Sequence, residues 1–206
     1  DYYPSFDFKL NAKNGWFQYP ALPKSMKNIN ITAQITNPGK TLDETVFDFS
    51  RFTFNLGGNP FSAQMRIAYP MSDPDVMLKA VGKIDLGMIK DVYPLSTNTK
   101  LNGLIDLNLR LAGRMSYYEQ NQYAKFIFEG ALKASDMLLK IKSFPNEVSV
   151  GKANLIFNNR YIDLAEFKIK TGRYELSAQG RLDYFIPYFL SNKTLKGTLN
   201  INSVFL

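Results

Sequence analysis

Five copies of one short pattern, apolar-x-Gly-x-apolar, limit what this chain can fold into. They read Ala80-Val-Gly82-Lys-Ile84, Leu101-Asn-Gly103-Leu-Ile105, Phe128-Glu-Gly130-Ala-Leu132, Ala178-Gln-Gly180-Arg-Leu182 and Leu195-Lys-Gly197-Thr-Leu199. The glycines lie 21, 27, 50 and 17 residues apart, so the units have the size of hairpins and the long gap has room for one missing copy. Each glycine shares the apolar parity of its strand, as Leu101, Gly103, Ile105, Leu107, Leu109 and Leu111 show. A glycine inside a strand sacrifices packing and backbone entropy, and so marks a bend, a bulge or a close backbone approach. Glycines placed on the apolar face remove volume where a curling sheet would crowd. The pattern predicts an all-β chain: a curved antiparallel repeat sheet with its apolar side concave, forming a taco-like groove, and a few short helices.

Alternation elsewhere agrees. Phe6 to Ala12 alternates and meets Asn14-Gly15, a hairpin signal. Ile29, Ile31, Ala33 and Ile35 share one side before Asn37-Pro38-Gly39. Phe52 to Leu56 precedes Gly57-Gly58, and Phe61, Ala63, Met65, Ile67 and Tyr69 are in phase. Three interruptions read as helical or turn-like: Leu86 to Val92, Ser116 to Tyr123 and Leu182 to Leu190. Ser116 and Glu119 fit a capping box. At 206 residues a single domain, 1–206, is expected. The turn-rich cluster of Pro70, Ser72, Asp73, Pro74 and Asp75 offers a possible subdivision near 70–76.

Composition narrows the chemistry. The chain has no cysteine and no histidine, which removes disulfides, thiolate nucleophiles, the usual zinc sites and imidazole acid/base catalysis. Asp73 and Asp75 flank Pro74 but lack the further oxygen ligands of a calcium loop. Glu119, Glu129 and Asp136 form no acid/base spacing, and Glu129 has the polar parity of its strand. No glycine cluster continues into a phosphate loop. The sequons at Asn30 and Asn192 are short patterns that arise by chance. The expected protein is not an enzyme, has no catalytic residues, and needs no metal and no cofactor.

The net charge of +7 raises the question of nucleic acid. Yet Lys79, Lys83, Arg110, Lys125, Lys133, Arg181 and Lys196 fall singly on polar faces, while the aromatics mostly share the apolar parity. No nucleic-acid partner is expected. The longest apolar stretch, Tyr184 to Leu190, is too short to cross a bilayer as a helix. With Asp1 first and no leader pattern, the chain reads as a mature protein or an excised piece.

The apolar face is then the feature with functional reach. A strand of eight or nine residues spans about 25 to 30 Å at roughly 3.3 Å per residue, enough to shelter an acyl chain. The residues expected to contact lipid are Ile84, Gly103, Ile105, Leu107, Leu109, Leu111, Phe126, Phe128, Leu132, Leu199 and Ile201. The competing reading is a structural β-repeat scaffold with a closed apolar core and no ligand.

Several stretches together resemble the AsmA-like proteins of Bacteroidetes-type bacteria. They are Tyr19-Pro-Ala-Leu-Pro23, NPFSAQMRIAYPMSDPDV from Asn59, GKIDLGMIKDVYPL from Gly82, LNGLIDLNLRLAGRMSYYEQNQY from Leu101, GALKASDM from Gly130 and GRYELSAQGRLDYFIPYFLSNKTLKGTLNINS from Gly172. Their order covers nearly all of the chain. One departure stands at Tyr174 and Glu175, where the family often has Ser-Asp, so no role is carried over to that position. The resemblance implies an internal or C-terminal fragment of a long periplasmic protein anchored in the inner membrane by a helix outside this chain. Through the wider AsmA and TamB group it is similar to bridge-like lipid transfer proteins. That implies phospholipid, or another acyl-chain lipid, as partner, and transport or outer-membrane biogenesis as function.

Overall fold

The computed structural model describes residues 3–20, 22–95, 99–141, 144–185, 188 and 194–205. Eleven strands form one antiparallel sheet in strict sequence order. They are β1 (Phe6–Phe17), β2 (Met26–Asn37), β3 (Val46–Leu56), β4 (Asn59–Ala68), β5 (Asp75–Asp85), β6 (Lys100–Arg114), β7 (Ile127–Ile141), β8 (Phe144–Phe157), β9 (Tyr161–Thr171), β10 (Tyr174–Asp183) and β11 (Lys196–Phe205). Short helices interrupt them, α1 (Ile89–Val92) and α2 (Met115–Glu119), with 3-10 turns at Leu42–Glu44, Leu86–Met88 and Tyr123–Lys125; Phe185 and Tyr188 are also helical. β1 and β11 are the two edges of the sheet, which curves without closing.

The glycines act as their parity predicts. A Cβ on Gly82 would stand 2.5 Å from the Pro60 carbonyl oxygen, and one on Gly103 2.6 Å from Met137 Cα. At Gly130, Gly180 and Gly197 the obstructing atoms are the carbonyl oxygens of Asn108, Thr198 and Arg181 on the adjacent strands. At each of the five, neighbouring backbone fills the place of a side chain. Bulges supply the remaining curvature, since each inserts a residue that bends its strand. Register shifts place them at Asn14 in β1, Asn28 in β2, Ser50 in β3, Asp136 in β7, Gly151 in β8 and Ala165 in β9.

Some local expectations are corrected. Asn14-Gly15 does not turn the chain; Asn14 (φ 52°) is a bulge whose N–H donates to Asn30 Oδ1 at 3.0 Å, and β1 runs on to Phe17. Tyr69 lies beyond β4 with φ 54°, out of the ladder. The capping box is absent: Ser116 donates its hydroxyl to Asp73 instead of accepting from its own helix. The long glycine gap holds the β8–β9 hairpin, which curves by bulges without the glycine motif. Of the segment Leu182 to Leu190, residues 186, 187, 189 and 190 lie outside the described residues. β4 and β5 pair continuously across the turn near 70–76.

Connections alternate between two rims. Those after even-numbered strands are laced together by side-chain and backbone hydrogen bonds. Asp43 accepts from the Met71 and Ser72 N–H groups, both at 2.9 Å, and from the Ser72 hydroxyl. Asp73 accepts from Ser116 N–H at 2.9 Å and its hydroxyl at 2.8 Å. Asn159 Nδ2 donates to Tyr123 O at 2.9 Å, and Tyr184 N–H to Arg160 O at 3.2 Å. Short polar residues in the turns thus hold successive hairpins at a fixed angle.

Candidate functional site: the apolar trough

Cross-strand pairing assembles the apolar residues into rows. One row crosses all eleven strands: Ala12, Ile31, Phe52, Ala63 and Ala80, then Leu109 and Gly130, then Phe157, Ile162, Leu182 and Gly197. Ten strand spacings of roughly 4.8 Å make it about 48 Å long. A second row joins Phe54, Phe61, Gly82, Leu107, Leu132, Leu155, Leu164, Gly180 and Leu199. A third joins Ile84, Ile105, Ala134, Ala153, Phe167, Ala178 and Ile201. None of these rows contains a polar side chain. Where rings are neighbours they touch: Phe54 and Phe61 stack at 5.1 Å, and Phe128 and Phe157 lie 5.0 Å apart.

Curvature toward this face is visible at Phe185, from the connection after β10. Phe185 is buried with Phe157, and Leu109, Phe128, Leu132 and Ile162 pack around the pair. Side chains from four consecutive strands, β6 to β9, therefore gather around one ring pair, as on the inner side of a curved sheet. The apolar side is concave.

Among the described residues no second sheet layer seals this face. A compact chain of 23.5 kDa exposes roughly 9,800 Å² by the usual scaling; this one exposes 13284 Å². No large side chain among the described residues is fully buried. The small residues Ala33, Ala80, Ala134, Ala153 and Ala178 are buried between taller neighbours; of the taller ones Phe157 and Leu164 are buried, while Ile31, Phe52, Leu107, Leu109 and Leu132 remain half-exposed. A closed sandwich core would bury most of these as well.

The residues singled out from sequence fall as follows. Ile84 and Ile105 are direct partners, as are Leu107 and Leu132, and Leu111 and Phe128. Leu109 faces Gly130, and Leu199 faces Gly180. Gly103 lies at the end of the same face against the Met137 backbone. Ile201 is on the open edge strand and 52% exposed. Phe126 precedes β7 and is buried, its ring over Gly113, so it packs the end of the trough. Ile31, Phe52, Phe157, Ile162 and Leu164 belong equally to the surface and were not singled out. Bulges inside their own strands, at Asn28, Ser50, Gly151 and Ala165, change the parity along each strand, which hides the shared face in the sequence.

The opposite face is mostly polar and carries cross-strand ion pairs, with Val81 and Ile156 exposed among them. Lys83 meets Asp106 at 3.7 Å, Arg110 meets Glu129 at 3.2 Å and Arg181 meets Asp163 at 2.8 Å. Arg181 also lies 3.8 Å above the Tyr161 ring, and its hydrogen bond to Asp163 raises its pKa further. A shallow depression there, lined by Asp106, Lys133, Lys152, Asn154 and Glu166, balances its own charges. The carboxylates with displaced pKa values are held low by structural bonds. Asp73 is lowered first by the Ser116 N–H and then by its hydroxyl, and Asp43 first by the Ser72 hydroxyl. Among the described residues no group of three or more acidic side chains could hold a metal ion, and no helix is long and apolar enough to cross a membrane.

The fold and site thus define an open, one-faced antiparallel β-trough with an apolar floor. Comparison with known proteins found no match, whether to a family model, a curated protein or a solved structure.

Proposed function

We propose that the trough shelters the acyl chains of phospholipid or a similar lipid, and that the protein is a non-enzymatic lipid-transport or outer-membrane biogenesis module. The observation that carries this reading is the apolar row from β1 to β11 on a concave face that no second sheet layer covers among the described residues, with Phe185 seated on it at Phe157. Apolar burial is worth about 25 cal/mol per Å² and is non-directional, so such a surface holds chains without selecting head groups. A chain could slide along the row on either side of Phe185, because no polar side chain on it marks a stopping place. The resemblance to AsmA-like proteins supports the same reading. It adds a periplasmic location and an inner-membrane anchor supplied by a helix outside this chain.

A second reading is favoured by the two open edges. A strand with unpaired backbone groups is a template for another, and a repeat scaffold would use β1 and β11 to join further units, its apolar face covered by neighbouring segments. Uptake of a fluorescent fatty acid separates the two readings. The trough takes up the probe, and Leu107→Asp and Leu132→Asp abolish uptake while retaining the circular dichroism of the sheet. No uptake by the folded wild-type chain leaves the scaffold reading.

A further inference from the structure

The rim formed by the connections after odd-numbered strands has a different chemistry from the laced rim opposite. The connection after β1 crosses to α1: the Lys24 N–H donates to the Asp91 carbonyl at 3.0 Å, and Lys24 Nζ meets the Asp91 carboxylate at 2.7 Å. This brace brings together two segments rich in exposed aromatic surface. Trp16 is 70% exposed, Tyr19 42% and Tyr93 60%. Aromatic rings with one polar atom favour the boundary between water and hydrocarbon, where the ring leaves water and the N–H or O–H keeps a partner.

Charge points the same way. Lys13, Lys27 and Lys90, close in sequence to the braced segments, are exposed and have no ion-pair partner among the described residues. Of the nearby acids, Asp91 is neutralised by Lys24, and Asp85, which accepts from the Gly87 N–H at 2.9 Å, leaves one negative charge against the three lysines. The rim is therefore cationic beside its aromatics, the complement of an anionic head-group layer. It is also continuous with the trough, because Phe17 and Met26, the pair next to Trp16, end the apolar face at this rim.

We infer that this rim docks on the surface of an anionic phospholipid bilayer, with Trp16 and Tyr93 at the head-group level and Lys13, Lys27 and Lys90 against the anionic head groups. The inference rests on the lipid reading above in one respect: docking there sets the end of the trough at the membrane from which a chain would enter.

Trp16 is the chain's single tryptophan, so its fluorescence reports on this rim alone. Vesicles of phosphatidylcholine with one quarter phosphatidylglycerol should shift its emission to the blue, and brominated acyl chains should quench it. Pure phosphatidylcholine should do neither, and 0.5 M salt should reverse the effect. The triple variant Lys13→Glu, Lys27→Glu, Lys90→Glu should bind the charged vesicles at least tenfold more weakly while taking up fluorescent fatty acid as the wild type does. An unmoved Trp16 emission overturns the inference, whether the protein stays free or pellets with vesicles through another surface. Loss of fatty-acid uptake in the wild type with the Trp16 shift intact removes the trough reading and leaves the docking surface standing.

Discussion

Gly130 lies against Asn108 so closely that the Asn108 carbonyl oxygen occupies the place of the missing Cβ. The pair shows how the sheet bends: the backbone of β6 moves into space that any other residue in β7 would fill. Gly130→Ala forces the strands apart and should cost about 1–3 kcal/mol, the usual cost of overpacking. Gly151→Ala, also in a strand but with no atom within 4 Å of its Cβ position, should change stability by less than about 1 kcal/mol. Urea denaturation of the two variants tests the difference. Equal effects would mean that curvature does not depend on the glycine contact.

The Asp43–Ser72 and Asp73–Ser116 contacts make stability fall in acid. Both carboxyls are held below their ordinary value by hydrogen bonds to the charged form. A group whose folded pKa is depressed contributes stability above its unfolded pKa and loses it as pH falls through the folded value. The window therefore opens near pH 4 and extends below it. Asp43→Asn with Asp73→Asn should lower the melting temperature at pH 7 and flatten its dependence on pH below about 4. An unchanged pH profile would contradict this role.

Phe185 is a large ring that folds back into the trough and is buried there, 5.7 Å from Phe128. Phe185→Ala should cost about 3 kcal/mol, in the range for truncating a buried phenylalanine. It should also leave fatty-acid uptake equal or greater, since it uncovers Phe128 and Phe157. A variant that keeps its stability but loses uptake would make Phe185 part of the binding surface instead of a plug.

The ion pairs on the outer face should matter little. Arg110→Ala or Glu129→Ala removes a pair whose members are both half-exposed, and such pairs contribute about 0–1 kcal/mol. A double-mutant cycle by thermal unfolding measures the coupling; a value well above 1 kcal/mol would mean that the outward charges help to set register.

Sequence alone made the curvature legible because a glycine at Gly82, Gly130 or Gly180 departs visibly from the apolar alternation around it. It also made β6 legible, since Ile105 to Leu111 alternate without interruption. The full floor of the trough was hidden for a physical reason. A bulge inserts one residue and exchanges the faces beyond it, so Phe49 and Phe52, of opposite parity, face the same side across Ser50. Leu164 and Phe167 do so across Ala165. Asn14-Gly15 carried the chemistry of a turn, but tolerance of positive φ serves a bulge equally well. The rim contacts, such as Asp73 with Ser116, join residues far apart in sequence and had no local pattern to reveal them.

The central claim is that lipid lies along the inner face and not the outer one. Photo-crosslinking at adjacent positions tests it most directly, with a benzophenone amino acid placed at Leu109 on the apolar row or at Arg110 on the opposite face, in protein incubated with radiolabelled phospholipid. The account predicts a lipid adduct at Leu109 and none at Arg110. Equal labelling at both positions, or none at Leu109 in a folded protein, would contradict it.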